Sequence, residues 1–181
     1  MLSKFLTIKD YKYTNEFKCH YDFGFELDHF QKHAIHSINN NENVLITAHT
    51  GSGKTVPAIY GIADSLKKGK KILYTSPIKS LSNQKYQELS AKFDSVGILT
   101  GDIKFNPDAQ CVILTTEILR NMLYKKGNTL DDSLSIDEVD KVIFDEIHYI
   151  NDPHRGKVWE ETLVLLPKRI QMIMLSATID K

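Results

Sequence analysis

Apolar residues fall into short continuous runs separated by amphipathic stretches, and this alternation sets the first reading of the chain. The runs at 43–48, 71–75, 96–100, 111–115, 142–145 and 171–176 are too short for typical helices and rich in branched side chains, which predicts six buried strands. Helical spacing predicts helices over 28–39, 55–68, 79–93, 116–124 and 158–166. In the first, Phe30, Ala34 and Ile38 share a face, Asp28 can cap the start, and Asn39-Asn40-Asn41 breaks the end. The second carries Val56, Ile59, Tyr60, Ala63 and Leu66 as its inner stripe and stops at Gly69. The last sets Trp159, Leu163 and Leu166 to one side, which reads as packing, with Glu160 and Glu161 on a wet acidic face. Residues 127–137 are polar and acidic and read as a surface loop, and residues 1–24, aromatic and lysine-rich without a period, as an extended arm or short hairpin. Continuous apolar strands alternating with helices describe an α/β domain, a mainly parallel sheet with helices on both faces. Ligands of such sheets bind beyond the carboxyl ends of the strands.

Composition narrows the class. The 181 residues are 41% hydrophobic and 25% charged, the mixture of a globular domain rather than a disordered tail. Lys+Arg and Asp+Glu are both 23, so any nucleic acid must be met by a local patch rather than by net charge. Cys19 and Cys111 are too few and too far apart for a metal or disulfide framework and read as free thiols. There is no run of 18 apolar residues and no apolar core in the first residues of the chain, so the expectation is a soluble intracellular protein with no membrane partner.

Three motifs stand at the carboxyl ends of predicted strands. Ala48-His49-Thr50-Gly51-Ser52-Gly53-Lys54-Thr55 follows a strand and opens a helix, the context a phosphate-binding loop requires. Its glycines let backbone N–H groups curl around phosphate, the helix start adds positive potential, Lys54 can reach the β/γ-phosphates, and the Thr55 hydroxyl can hold Mg²⁺. Ala48 stands where the general pattern has its first glycine. Asp145-Glu146-Ile147-His148 ends the fifth strand, 91 residues after Lys54. Asp145 suits a Mg²⁺ ligand and Glu146 a base that polarises the attacking water. Ser176-Ala177-Thr178 ends the sixth strand. His29, His33 and His36, at i, i+4 and i+7, could bind a metal by spacing, but they lie opposite the apolar face with no carboxylate or cysteine placed to complete a site, and are expected to face solvent.

AHTGSGKT, TSPIKSLSNQK, DEIH and SAT, in that order, resemble motifs I, Ia, II and III of superfamily-two helicases. FELDHFQKHAI, LTGDIKFNPDAQCVILTTEILRNML and FDEIHYINDPHRGKVWEETLVLLP resemble the superkiller-type DExH RNA helicases, and among these the exosome-associated branch. The resemblance implies that 25–181 is a first RecA-like domain, truncated after motif III, that binds ATP with Mg²⁺ and acts on single-stranded nucleic acid, RNA above DNA. It implies adenine reading by Gln31 with Phe25 before it, and phosphate binding by Thr50, Gly51, Ser52, Gly53, Lys54 and Thr55. Catalysis falls to Lys54, Asp145, Glu146 and His148. Contact with the nucleic-acid backbone falls to Pro77, Lys79, Ser80, Asn83 and Gln84, to Thr100, Gly101 and Asp102, and to Thr115, Thr116, Glu117 and Arg120. Ser176, Ala177 and Thr178 would couple the two sites. Implied partners are a second RecA-like domain in cis, supplying the arginines that complete the ATP site, and an RNA-decay complex. The family loop usually reads HTSAGKT where this chain reads HTGSGKT, and either should cradle phosphate. Without its second domain the chain can also be read as a nucleotide-binding module that does not turn ATP over.

Overall fold

The computed structural model describes residues 12–13, 16–125 and 134–177. Within them the chain forms α1 (His29–Asn39), β1 (Val44–Thr47), α2 (Thr55–Lys67), β2 (Lys71–Ser76), α3 (Lys79–Ser90), β3 (Val96–Leu99), β4 (Lys104–Phe105), β5 (Cys111–Thr115), α4 (Thr116–Lys125), β6 (Val139–Phe144), α5 (Gly156–Leu165) and β7 (Gln171–Ser176). One sheet holds all seven strands in the order β1-β7-β6-β2-β5-β3-β4. Every neighbouring pair is parallel except β3 with β4, which closes an antiparallel hairpin edge.

The central strands are apolar on both sides because helices cover both faces. Ile72 and Tyr74 of β2 point with Ile113, Ile143 and Ile173 toward a core shared with Ile35 and Ile38 of α1 and Ala58, Tyr60 and Ile62 of α2. Leu73, one residue out of phase, joins Val112, Leu114, Val142 and Phe144 in a second core closed by Leu119 of α4 and Trp159 of α5. Trp159 is 1% exposed with its ring centroid 6.1 Å from that of Phe144, so it packs as its helical position indicated. Cys19 and Cys111 are both free, and burial pushes the Cys111 thiol up to about 12.

Four features depart from the sequence reading. The strand β1 is an edge strand with Leu45 52% exposed, not a buried one, because only β7 pairs with it. The two-residue β4 is too short to leave a period. Helix α2 is buried on nearly all sides, so Ala58 and Ile62 are inaccessible while Val56 and Leu66 of the expected stripe are only half covered. Finally, β6 begins at Val139, three residues ahead of the predicted start, and takes in Asp140 and Lys141. Lys141 is 1% exposed, its ammonium 3.0 Å from Asp64 Oδ2 and also bonded to Asp140. Lys68 meets the same Asp64 oxygen at 2.7 Å. Burial alone would raise the Asp64 carboxyl, but hydrogen bonds and charge from Lys68 and Lys141 hold it below its usual value. A charged strand residue is tolerated inside a sheet only with partners of this kind.

The histidine face of α1 is partly covered: His29 is exposed as expected, whereas His33 and His36 are half-buried. Tyr13 donates its backbone N–H to His29 Nδ1 at 3.1 Å, bonds His36 Nδ1 at 3.0 Å through its hydroxyl, and sets its ring edge-on to His33 and His36. Among the described residues no group of three His, Cys, Asp or Glu stands close enough to hold a metal ion, and no helix is long and apolar enough to cross a membrane.

Candidate nucleotide and nucleic-acid site

The loop between β1 and α2 turns on two glycines in left-handed backbone, Gly51 at φ +84° and Gly53 at φ +80°, a region that costs other residues about 1–2 kcal/mol. Ser52 N–H donates to His49 O at 3.2 Å and Val56 N–H to Gly53 O at 3.0 Å. The amides of Gly51, Gly53, Lys54 and Thr55 have no backbone acceptor of this kind among the described residues. Lys54 is 9% exposed and forms no ion pair among the described residues, and Ser52 Oγ is buried without a partner. A covered ammonium, an orphaned hydroxyl and free amides at a helix start form a concavity suited to phosphate.

Gln31 lies 3% exposed between α1 and this loop. Its Oε1 accepts the Asp28 N–H at 2.9 Å, and its Nε2 donates to Gly53 O at 3.1 Å. The amide keeps one N–H and one lone pair, enough to pair with adenine N7 and N6 together. Phe25 is 57% exposed, its ring 5.8 Å from Phe23. Ser176 is buried at the end of β7, paired with Thr47 directly before the loop, and its hydroxyl donates to Ala177 O at 2.8 Å. Thr178 lies outside the described residues.

Asp145 follows β6 at the same sheet edge, its N–H bonded to Thr75 O at 3.0 Å. Both its carboxylate oxygens are held: Oδ2 accepts the Tyr74 hydroxyl at 2.6 Å and Oδ1 the Glu146 N–H at 3.0 Å. Burial and the adjacent carboxylate push the Tyr74 phenol well above its ordinary value, so it remains a donor. Glu146 adopts left-handed backbone at φ 53°, ψ 46°, the kind of strain that gathers at working sites. Its Oε2 stands 3.3 Å from His148 Nδ1, within ion-pair range but without hydrogen-bond alignment.

The residues expected at the nucleic-acid path divide in two. Lys79, Ser80, Asn83, Gln84, Gly101 and Asp102 are exposed along one side, and Lys79 is ion-paired with Asp102 across the gap between α3 and the loop after β3. Pro77, Thr100, Thr115 and Thr116 are buried. Thr100 Oγ1 accepts the Ile103 N–H at 3.2 Å, and Thr116 Oγ1 has no partner. Glu117 is half-buried at the start of α4. Arg120 is drawn onto α5, 3.5 Å from Glu161 Oε2, so Glu161 carries an ion pair where a solvated acidic face was expected.

Sequence reading missed two linking residues. One is Tyr74. The other is Arg155, whose Nη1 donates to Pro77 O at 3.2 Å and joins the loop after Asp145 to the start of α3. That loop is shaped by Asp152, whose Oδ1 accepts the N–H groups of His154 at 2.8 Å and Arg155 at 2.9 Å. These hydrogen bonds hold the Asp152 carboxyl below its usual value. Strand parity was the one available signal for Tyr74, which lies in phase with Asp145, whereas nothing local marks Arg155.

A sequence model of the DEAD/DEAH box helicase family matches residues 28–181. The chain belongs to that family. Among its relatives, the human "Exosome RNA helicase MTR4" is 51% identical over 158 residues, covering 87% of this chain and 15% of the relative. The Saccharomyces cerevisiae "Antiviral helicase SKI2" is 50% identical over 157 residues, covering 86% of this chain and 12% of the relative. This helicase-family chain thus spans about one seventh of the length of the curated relatives it matches. The solved Hef helicase domain of Pyrococcus furiosus superposes with TM-score 0.63 at 24% identity, over 84% of this chain and 33% of that one. That likeness bears out the expected RecA-like α/β architecture, down to the mainly parallel sheet covered on both faces.

Proposed function

We propose that this chain is the ATP-binding RecA-like domain of an ATP-dependent RNA helicase, working with a second RecA-like domain in cis. The observation that carries the reading is the convergence of a phosphate-shaped loop, with its buried Lys54 unpaired among the described residues, on the same sheet edge as Asp145 and Glu146. Of the two relatives at about half identity, the human one is named an RNA helicase, which supports RNA over DNA as the strand acted on. The first of them is named for the exosome, which supports an RNA-decay complex as partner.

In this reading the loop amides of residues 51–55 and the Lys54 ammonium hold the β- and γ-phosphates, and Gln31 reads the adenine edge. Thr55 and Asp145 fit Mg²⁺, which takes one or two protein oxygens and keeps several waters. When bound, Mg²⁺ neutralises charge on the phosphate oxygens. Glu146, set beside Asp145 by its left-handed backbone, orients the attacking water and takes its proton, with His148 close enough to steady the carboxylate. Exposed Ser80, Asn83 and Gln84 and the paired Lys79 and Asp102 receive the RNA backbone through contacts that carry no sequence information. Tyr13 fastens the segment that precedes α1 onto that helix.

All three arginines of the chain are engaged elsewhere: Arg120 with Glu161, Arg155 with Pro77 O, and Arg169 with the carbonyls of Val139 and Ile136. An arginine that meets the γ-phosphate beside Lys54 would therefore come from outside this domain, and an arginine so placed accelerates other NTPases by about 10³–10⁵. The test has two arms. Calorimetry should show Mg²⁺-dependent ADP and ATP binding by the chain, lost in Lys54→Ala; equal binding by both contradicts the reading. Phosphate release should be very slow with or without single-stranded RNA, and become RNA-stimulated in a protein that includes the second domain. There, stimulation by DNA oligomers equal to that by RNA would turn the assignment to a DNA helicase.

A further inference from the structure

Tyr74 is an anomaly in its strand. It sits mid-sheet on β2, level with Ile113 of β5 on one side and Ile143 of β6 on the other, and is fully buried. Both residues level with it are aliphatic, and a phenylalanine would fill the same volume without bringing a hydroxyl between them. A buried hydroxyl is retained at a cost unless it finds an acceptor. Here the acceptor is Asp145 Oδ2, at 2.6 Å.

The register explains the reach. Tyr74 pairs with Ile143, and Asp145 lies two residues further along the same strand path, on the same face. Two residues of parallel strand advance about 6.6 Å, the span a tyrosine ring and hydroxyl cover when laid along the strand. The phenol therefore runs from the core up to the site edge and ends on the carboxylate. With Oδ1 taken by the Glu146 N–H, the Asp145 side chain is fixed from both sides, and each oxygen keeps a lone pair for a further partner. Asp145 is itself only 8% exposed, so little water is available to replace the phenol.

The geometry points to Tyr74 as a positioning residue for the metal ion: its hydroxyl locks the Asp145 carboxylate in the orientation that receives Mg²⁺. The inference rests on the assignment of Asp145 as metal ligand in the proposed function. Without the hydroxyl the carboxylate has one fewer fixed contact and can turn, at the expense of metal affinity rather than of nucleotide or fold.

The experiment titrates Mn²⁺ into the chain with ADP present and reads free Mn²⁺ by electron paramagnetic resonance. Tyr74→Phe should weaken Mn²⁺ binding on the order of tenfold, the worth of one hydrogen bond to a charged acceptor. It should leave ADP affinity in EDTA and the circular dichroism spectrum unchanged, effects a merely structural role would not separate. In Asp145→Asn the metal site is already lost, so adding Tyr74→Phe should weaken binding no further. Wild-type Mn²⁺ affinity in Tyr74→Phe, or independent addition of the two effects, overturns the proposal. Absence of nucleotide-dependent Mn²⁺ binding by the wild type overturns the metal assignment itself and the proposal with it. Should Tyr74→Phe not fold, the wild type still decides: the Tyr74 hydroxyl proton, followed by NMR, should shift when Mg²⁺ is added to the ADP complex, and a resonance that stays in place refutes the role.

Discussion

Gly51 and Gly53 offer a matched pair of perturbations within one loop. Both hold left-handed backbone, at φ +84° and +80°, so alanine at either should cost a similar strain, about 1–2 kcal/mol. Their surroundings differ. An added Cβ at Gly51 meets nothing within 4 Å, whereas at Gly53 it would stand 2.5 Å from Gln31 Nε2. Gln31 is buried and held at both ends of its amide, so it cannot yield without breaking its bond to Gly53 O and straining the one from Asp28. Loss of one such bond adds about 1 kcal/mol. Gly53→Ala should therefore destabilise by about 2–3 kcal/mol against about 1–2 for Gly51→Ala, read from urea midpoints. Function separates them further. Both variants disturb the phosphate cradle alike, so the ratio of ATP to GTP affinity cancels that shared loss. The ratio should hold in Gly51→Ala and fall about fivefold in Gly53→Ala, where Gln31 is displaced. In a Gln31→Ala background the excess cost of Gly53→Ala should vanish. Equal midpoints for the two glycine variants, or an unchanged nucleotide preference in Gly53→Ala, would refute the link between Gln31 and the loop.

Glu146→Gln in a protein with both RecA-like domains should keep nucleotide affinity and lose about 10²–10⁴ of turnover, since it removes the base and leaves the Asp145 contact; normal turnover in single-cycle assays would assign the water to another group. Burial, then the charge of Asp64, raises the Tyr60 phenol to about 12. The folded value thus exceeds the unfolded one, so this contribution is whole below pH 10 and lost as pH rises through 12. It amounts to about 3 kcal/mol, so the urea midpoint should fall more steeply over that window in wild type than in Tyr60→Phe; parallel curves would contradict it. Arg155→Ala should leave RNA-free ATPase in the two-domain protein unchanged and reduce its stimulation by RNA severalfold, because the bond from the Asp145 loop to Pro77 is gone; full stimulation would count against that link.

The phosphate loop was legible because its chemistry is local: glycines at positions that need positive φ, then a lysine and a threonine opening a helix, leave a signature within eight residues. The central strands were legible for a similar reason, since burial on both faces demands an unbroken apolar run. What escaped depends on partners far along the chain. Val44-Leu45-Ile46-Thr47 is as apolar as a central strand, and only the sheet order makes it an edge. Asp140 and Lys141 fall between the predicted loop and the predicted strand, and only Asp64, on α2, makes the lysine tenable within the sheet. The histidines of α1 are polar and lie opposite the apolar stripe, so solvent was the natural expectation; it holds for His29, whereas His33 and His36 are half-buried beside Tyr13, which lies 16 residues before the first of them. In the site, residue types announced phosphate and carboxylate chemistry, whereas the hydroxyl of Tyr74 and the guanidinium of Arg155 act across the sheet and between loops.

The edge position of β1 bears on how the protein comes into being on the ribosome. Among the described residues its only sheet neighbour is β7, and Val44 pairs with Ile173, 129 residues later. The same late strand fastens the turn that precedes β1: Gln171 donates to the carbonyls of Ile38 at 3.2 Å and Glu42 at 2.7 Å, and Met172 donates to Asn43. At roughly 5–20 residues per second of synthesis, the phosphate-loop strand waits roughly 6–26 s for its partner. Every other strand finds a neighbour nearer in the chain, so the middle of the sheet can assemble while β1 is still unpaired. The loop that opens the sequence of motifs is thus among the last to be framed, and a nascent chain gains its nucleotide pocket only once β7 has emerged.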